Sequence, residues 1–255
     1  MKRNEKTPVR LWAVGFWLLV WQGAGMVMAA LWPNGHLLLA TPLSVVRRLG
    51  ELAVTAEFWQ AVGWSSVRIF GGFLLASLLA AALAVPAARR RWIRELLGPP
   101  VAAVKAVPVA SFIILALVWL DSGSLSCFIA GMMVFPPVYL GVLEGIRGAD
   151  GQLLEMAAVF RVPALRQLRW IYLPAVLPRF RTAASLGLGL CWKAGVAAEV
   201  IGLPAGSVGE RLYTAKIYFQ TPDLFAWTVV IVAVSVLFER VLLKLVDHLA
   251  GKAGR

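Results

Sequence analysis

From Glu155 to Pro174 the chain reads EMAAVFRVPALRQLRWIYLP. Arg161, Arg166 and Arg169 make the stretch too charged to cross a bilayer, and its apolar spacing is too regular for a slack loop. Asp150 just upstream is placed to cap a short helix over about 151–160. Pro163 interrupts, because proline in a helix interior removes a backbone donor and clashes with the preceding turn. A second short helix over about 164–172 puts Leu165, Leu168 and Ile171 near one face and Arg166 and Arg169 on another. On pattern alone the pair serves equally well as a docking surface or as interfacial helices on anionic lipid.

Outward from this stretch the chain is far more apolar. Of 255 residues, 60% are hydrophobic and 15% charged, and the mean hydropathy is +0.78. Soluble domains are about 45–50% apolar and about 25% charged, so lipid is the natural solvent. A helix needs about 20 mostly apolar residues to cross the hydrocarbon. Six stretches qualify, at 11–32, 61–85, 101–120, 125–146, 182–201 and 224–247. The first follows the basic leader MKRNEKTPVR and is too long for a signal peptide, with no convincing small-residue cleavage site, so it is expected to be retained.

Charge placement tests this layout. With the N-terminus in the cytoplasm, inside segments hold eighteen of the 25 basic residues and outside segments hold four, Arg47, Arg48, Arg211 and Lys216. That is the positive-inside asymmetry of a polytopic protein, with both termini cytoplasmic. It also explains the net charge of +12. The basic residues are spread over separate loops, which argues against nucleic acid. Segment 33–60 is expected outside, with an amphipathic helix over about 43–58. Segment 202–223, with Gly202, Pro204, Gly206 and Gly209, is expected to be an outside turn or re-entrant element. Residues 61–247 form the core, with the charged loop at 147–181, and 248–255 form a cytoplasmic tail.

Catalytic and metal chemistry find no pattern. Cys127 and Cys191 lie in apolar stretches, and His36 and His248 lack partners. There is no G-x-x-x-x-G-K-[ST] phosphate loop, so no cofactor is expected on this chain and energy must come from another subunit or an ion gradient. No G-x-S-x-G or H-E-x-x-H supports an intramembrane enzyme. A gradient-driven secondary transporter, the alternative mechanism, would favour inverted repeats with broken helices in both halves, which the sequence does not display.

The opening stretch resembles the cytoplasmic loop signature of binding-protein-dependent ABC importer permeases. That signature runs E-A-A, three residues, G, nine residues, I-x-L-P. Glu155 and Ala157 match the first group, and Ile171, Leu173 and Pro174 close the motif at the same spacing. Met156 stands for the first alanine and Arg161 for the glycine. Further pieces resemble the branch importing nitrate, taurine and alkanesulfonates: Ser65-x-x-Arg68 with Phe70-Gly71-Gly72-Phe73, Val107-Pro108, Trp119-Leu120-Asp121-Ser122-Gly123, Phe135-Pro136, Trp192-Lys193-Ala194-Gly195 through Glu199, and Gly206-Ser207-Val208-Gly209. They occur in order over roughly residues 30–245.

The resemblance implies an all-α membrane protein with six transmembrane helices, a type I ABC importer permease-like bundle with cytoplasmic coupling helices, in the bacterial inner membrane. Glu155, Met156, Ala157, Arg161, Ile171, Leu173 and Pro174 would dock on ATP-binding partner subunits, which would hold ATP and Mg. A second permease copy, most simply as a homodimer, would complete the path, and an external solute-binding protein would deliver a small anion such as nitrate, taurine or an alkanesulfonate. Related permeases also carry pyrimidine precursors of thiamine.

Three charges fall deep inside predicted spans or near their ends: Arg68, Lys193 and Glu199. A mid-bilayer charge costs about 2.5–3.5 kcal/mol on insertion scales and usually faces a partner or a cavity. Arg68 and Lys193 either line an anion path, or one of them pairs with Glu199 between helices, and pairing is the favoured expectation. Lys105 can snorkel from its span end. Gly71, Gly72, Gly187, Gly189 and Gly195 allow close helix approach, and Pro108, Pro136 and Pro137 mark possible kinks.

Overall fold

The computed structural model describes residues 11–253. The predicted leader, with Lys2, Arg3, Lys6 and Arg10, and the last two residues of the predicted tail lie outside the described residues. Every regular element among those described is helical. In chain order they are α1 (Leu11–Leu31), α2 (Gly35–Leu38), α3 (Pro42–Ala53), α4 (Ala56–Arg89), α5 (Arg91–Ala106), α6 (Val109–Ala116), α7 (Ser122–Arg147), α8 (Gly151–Val159) and α9 (Ala164–Gln167). A π turn, Leu168–Tyr172, leads into α10 (Leu173–Gly202), followed by α11 (Val208–Ile217) and α12 (Thr221–Ala253).

Among the described residues, four helical stretches are long and apolar enough to cross a bilayer: Trp12–Leu31, Ala56–Arg89, Ser122–Arg147 and Ala164–Gly202. A fifth arises if α5 and α6 count as one broken span. The predicted third span, 101–120, is therefore not a single rod. It is interrupted at Val107–Pro108, and the two helices meet at 106°. Pro108 has no N–H to donate, and it forces the residue before it out of the helical region; Val107 is extended at φ −75°, ψ 132°. By contrast α7 passes through Pro136 and Pro137 without a break. The predicted sixth span lies in α12, outside the five.

The described residues divide into two compact units, 11–59 with Arg211–Val230, and Gln60–Glu210 with 231–253. In the first, the helix predicted over about 43–58 is present as α3, which starts at the Thr41 cap with Pro42 in its first turn and ends at Ala53, short of residue 58. Its core gathers Ala40, Val45 and Ala226 with Trp21 and Phe225, and the Trp21 indole N–H donates to Ala40 O at 2.9 Å. Arg48 grips Asp223 with two hydrogen bonds, at 2.5 and 2.9 Å. That pairing, with help from Glu51, raises the Arg48 pKa further above its ordinary value. Trp227 stacks on Phe58 with ring centroids 5.1 Å apart.

The second unit holds the main packing. Ile113, Leu125, Ile129, Ala194 and Ala198 form a continuous buried cluster joining α6, α7 and α10. Small residues set the helix spacing. A Cβ on Gly72 would lie 2.1 Å from the Cys127 carbonyl oxygen, so α4 and α7 touch backbone to backbone there. Gly195 lies close to the Ile69 side chain, at 2.7 Å from where a Cβ would sit, whereas Gly71 and Gly189 have open space there. Only part of the predicted glycine set is therefore used for packing within one chain.

Candidate functional site

The stretch that opened the sequence reading folds largely as its punctuation demands. Asp150 Oδ1 accepts from Gln152 N at 2.9 Å and starts α8. α8 then ends in a Schellman arrangement, with Val162 N donating to Ala157 O at 2.8 Å and Arg161 N to Ala158 O at 3.1 Å. Arg161 occupies the left-handed position of that turn, at φ 49°. This is the conformation that glycine adopts without cost. The turn expected of the motif glycine is thus kept, with an arginine strained into it. Gln167 Nε2 donates to Val162 O at 2.9 Å and ties the far side down.

One expectation needs correction. Residues 164–172 are not a separate short helix. They continue into α10, so that Ala164–Gly202 is one 39-residue stretch. The joint is the π turn, where Leu173 N reaches back five residues to Leu168 O. Pro174 lacks the donor for an ordinary bond one turn back, and a wide turn accommodates that gap within a continuous helix. The segment is one short helix, a strained turn, and the end of a membrane-length helix.

The predicted docking residues divide by exposure. Glu155 and Met156 are exposed on α8, while Ala157 is buried beneath them. Ile171 and Leu173 are half-buried and Pro174 exposed. Around them stand Val159 at 78%, Phe160 at 75% and Leu165 at 77% exposure. Inward, Leu154, Leu168 and Leu173 line a cavity of about 400 Å³ that Arg89, Arg147 and Tyr172 also border. α8 therefore presents a carboxylate within a free apolar patch.

A second polar site lies at the end of α10. Glu199 is fully buried. Its Oε2 accepts from the Ser65 hydroxyl on α4 at 2.7 Å and from Gly209 N at 3.2 Å. Ser65 Oγ in turn accepts from Val208 N at 2.9 Å, and Ser207 Oγ accepts from Glu210 N at 3.0 Å. The first three N–H groups of α11 are thus all satisfied, two of them by other helices. A helix N-terminus is a favourable place for a carboxylate. Gly209 is required: a Cβ there would lie 2.3 Å from that of Glu199.

The expected cation partner of Glu199 is absent among the described residues: neither Arg68 nor Lys193 forms an ion pair with it. Lys193 is exposed on α10 and Arg68 half-buried on α4. Buried atoms left without a partner include Arg68 Nη1, Ser126 Oγ and Glu199 Oε1. The expectation of a turn or re-entrant element over 202–223 does not include the helix α11, Val208–Ile217. Ser207-x-x-Glu210, a helix-start pattern, was the available signal. No cluster of His, Cys, Asp and Glu among the described residues is arranged to hold a metal.

Residues 72–252 match the family model described as "Binding-protein-dependent transport system inner membrane component". A protein of Bacillus subtilis (strain 168) named for aliphatic sulfonates transport, the permease SsuC, is 29% identical over 87% of this chain and 79% of its own. The riboflavin transport system permease protein RibX of Chloroflexus aurantiacus (strain ATCC 29366 / DSM 635 / J-10-fl) is 27% identical over 82% of this chain and 76% of its own. The taurine transport system permease protein TauC of Escherichia coli (strain K12) is 25% identical over 80% and 76% respectively.

Proposed function

Since the chain belongs to the binding-protein-dependent transport system inner membrane components, a family of multi-pass permease subunits, we propose that it is the membrane-spanning half of an ATP-driven importer. Two copies enclose the path. Each crosses the membrane six times, with the bent α5–α6 pair and α12 completing the count and both termini inside. Residues 33–60 and 202–223 face outward, and 147–181 face the cytoplasm. A partner subunit binds ATP and Mg and performs the hydrolysis, and an external binding protein supplies the solute. The solute is a small organic sulfonate or similar anion, since two of the named relatives carry sulfonate or taurine in their names. The riboflavin relative marks how far cargo can drift on this frame.

The observation that carries the ATPase assignment is the exposed apolar patch at the end of α8 and across the turn that follows. Val159, Phe160 and Leu165, on α8 and the turn and helix start after it, are each at least three-quarters exposed. Apolar groups gathered in a charged, extramembrane segment mark an interaction site, and Glu155 supplies a polar contact within it. The strained turn at Arg161 fixes the angle at which that face is presented. The motion of the ATPase then passes through the π turn directly into α10, one of the membrane-length helices.

Co-purification in mild detergent tests this reading. An ATP-binding subunit is expected to travel with the chain, and to be lost from Glu155→Lys while membrane insertion stays normal. Uptake by the purified chain alone, driven by a proton or sodium gradient, overturns it. Uptake assays with taurine, alkanesulfonates and nitrate test the cargo.

A further inference from the structure

We infer that Glu199 is a positioning residue that clasps the outer turn 203–209 onto α4 and α10, and that this clasp is released when the path opens outward. The inference rests on the importer reading for its direction, though the clasp itself stands on geometry alone. A buried carboxylate within a membrane-length helix is costly and persists where it does something. Glu199 stands in the last turn of α10, ending at Gly202. That is the end of a helix at which a negative charge is disfavoured. Its own helix therefore gives it no reason to be there.

The favourable interaction lies across the turn. Glu199 Oε2 receives Gly209 N, and the Ser65 hydroxyl bridges Glu199 and Val208 N. Three chain segments, α4, α10 and the start of α11, thus converge on one oxygen and one hydroxyl. The turn between them is tight and committed. Leu203 leaves α10 at φ 49°, Gly206 sits at φ 71°, and Gly206 N donates to Glu210 Oε2 at 2.6 Å. Val208 and Ser207 are buried beneath it. An element held by a few directed bonds to two helices has two discrete states, held and released, which is the form that alternating rearrangements take.

The test is thiol accessibility in right-side-out membrane vesicles carrying the chain with its co-purifying ATPase. Val208→Cys is expected to react with a membrane-impermeant maleimide at least about tenfold more slowly than Ala205→Cys on the exposed part of the turn, since labelling follows local opening. Adding Glu199→Ala is expected to raise the Val208→Cys rate about tenfold. Glu199→Gln keeps an acceptor oxygen and is expected to restore slow labelling. Ser65→Ala is the second route to the same effect should Glu199→Ala fail to insert. An unchanged Val208→Cys rate in both Glu199→Ala and Ser65→Ala overturns the clasp. ATP with vanadate inside the vesicles is expected to change the Val208→Cys rate in the otherwise native chain. An unchanged rate, in vesicles that perform ATP-dependent uptake, overturns release. If uptake proves independent of ATP, the importer reading fails while the Glu199→Ala comparison still decides the clasp.

Discussion

Arg161 shows how a single residue can keep a geometry it is ill suited to. Its φ of 49° is one that a side chain bearing a Cβ enters only at a cost of about 1 kcal/mol relative to glycine. Arg161→Gly should therefore stabilise the turn after α8 by about 1 kcal/mol, read as slower proteolysis of the 150–170 segment. A β-branched residue such as valine should do the reverse. The motif fixed where the turn belongs but could not tell whether arginine would hold it. Glu199 carries the opposite lesson. Charge logic led to Arg68 or Lys193 as its partner, and a serine hydroxyl and a backbone N–H took the role. Neutral donors leave no signature in sequence, because nearly every residue supplies one. Gly72 and Gly71 give a matched contrast. Gly72→Ala forces α4 and α7 apart and should cost stability in a detergent melt, while Gly71→Ala should not, given the 2.1 Å approach at one and open space at the other.

At the level of elements, apolar runs located the helices well, and proline decided their interruptions. The same residue type gave three outcomes. Pro108 bends the chain through 106°, Pro136 and Pro137 are absorbed within α7, and Pro174 is absorbed by a π turn. Periodicity does not separate these outcomes. The second short helix expected over 164–172 is not separate: once the π turn accommodates Pro174, nothing stops α10 from running on to Ala164. That continuity makes a sharp prediction. Deleting one residue within 168–172 should regularise the turn and rotate residues 164–167 by roughly 100° about the helix axis. Membrane insertion should be unchanged and ATPase co-purification lost. Retained co-purification would mean that the facing of this segment does not matter for docking. α11 is hard to read in sequence because Gly202, Pro204, Gly206 and Gly209 all carry turn signals, whereas Gly209 marks a close approach between helices.

For the molecule as a whole, composition alone identified the solvent, and loop charge gave the expected orientation. The crossing number was less legible, because hydropathy windows score a bent pair and a straight rod alike. Topology mapping addresses this directly. Tyr218→Cys, with its position exposed after α11, should label from outside, and Phe160→Cys only after the membrane is permeabilised. Labelling of both from one side would invalidate the proposed six-crossing path. The cargo is the least legible property, since Arg68 and Lys193 give only a weak positive bias and relatives of comparable identity are named for sulfonate, riboflavin and taurine.

The uncovered greasy side chains at the end of α8 and just beyond it also bear on how such a subunit is made. A newly inserted copy without its partner presents Val159, Phe160 and Leu165 to the aqueous phase, where chaperones and proteases recognise stray hydrophobes. Its lifetime should then track the supply of its companion, so that overproducing this polypeptide by itself yields rapid turnover while balanced synthesis of both yields accumulation.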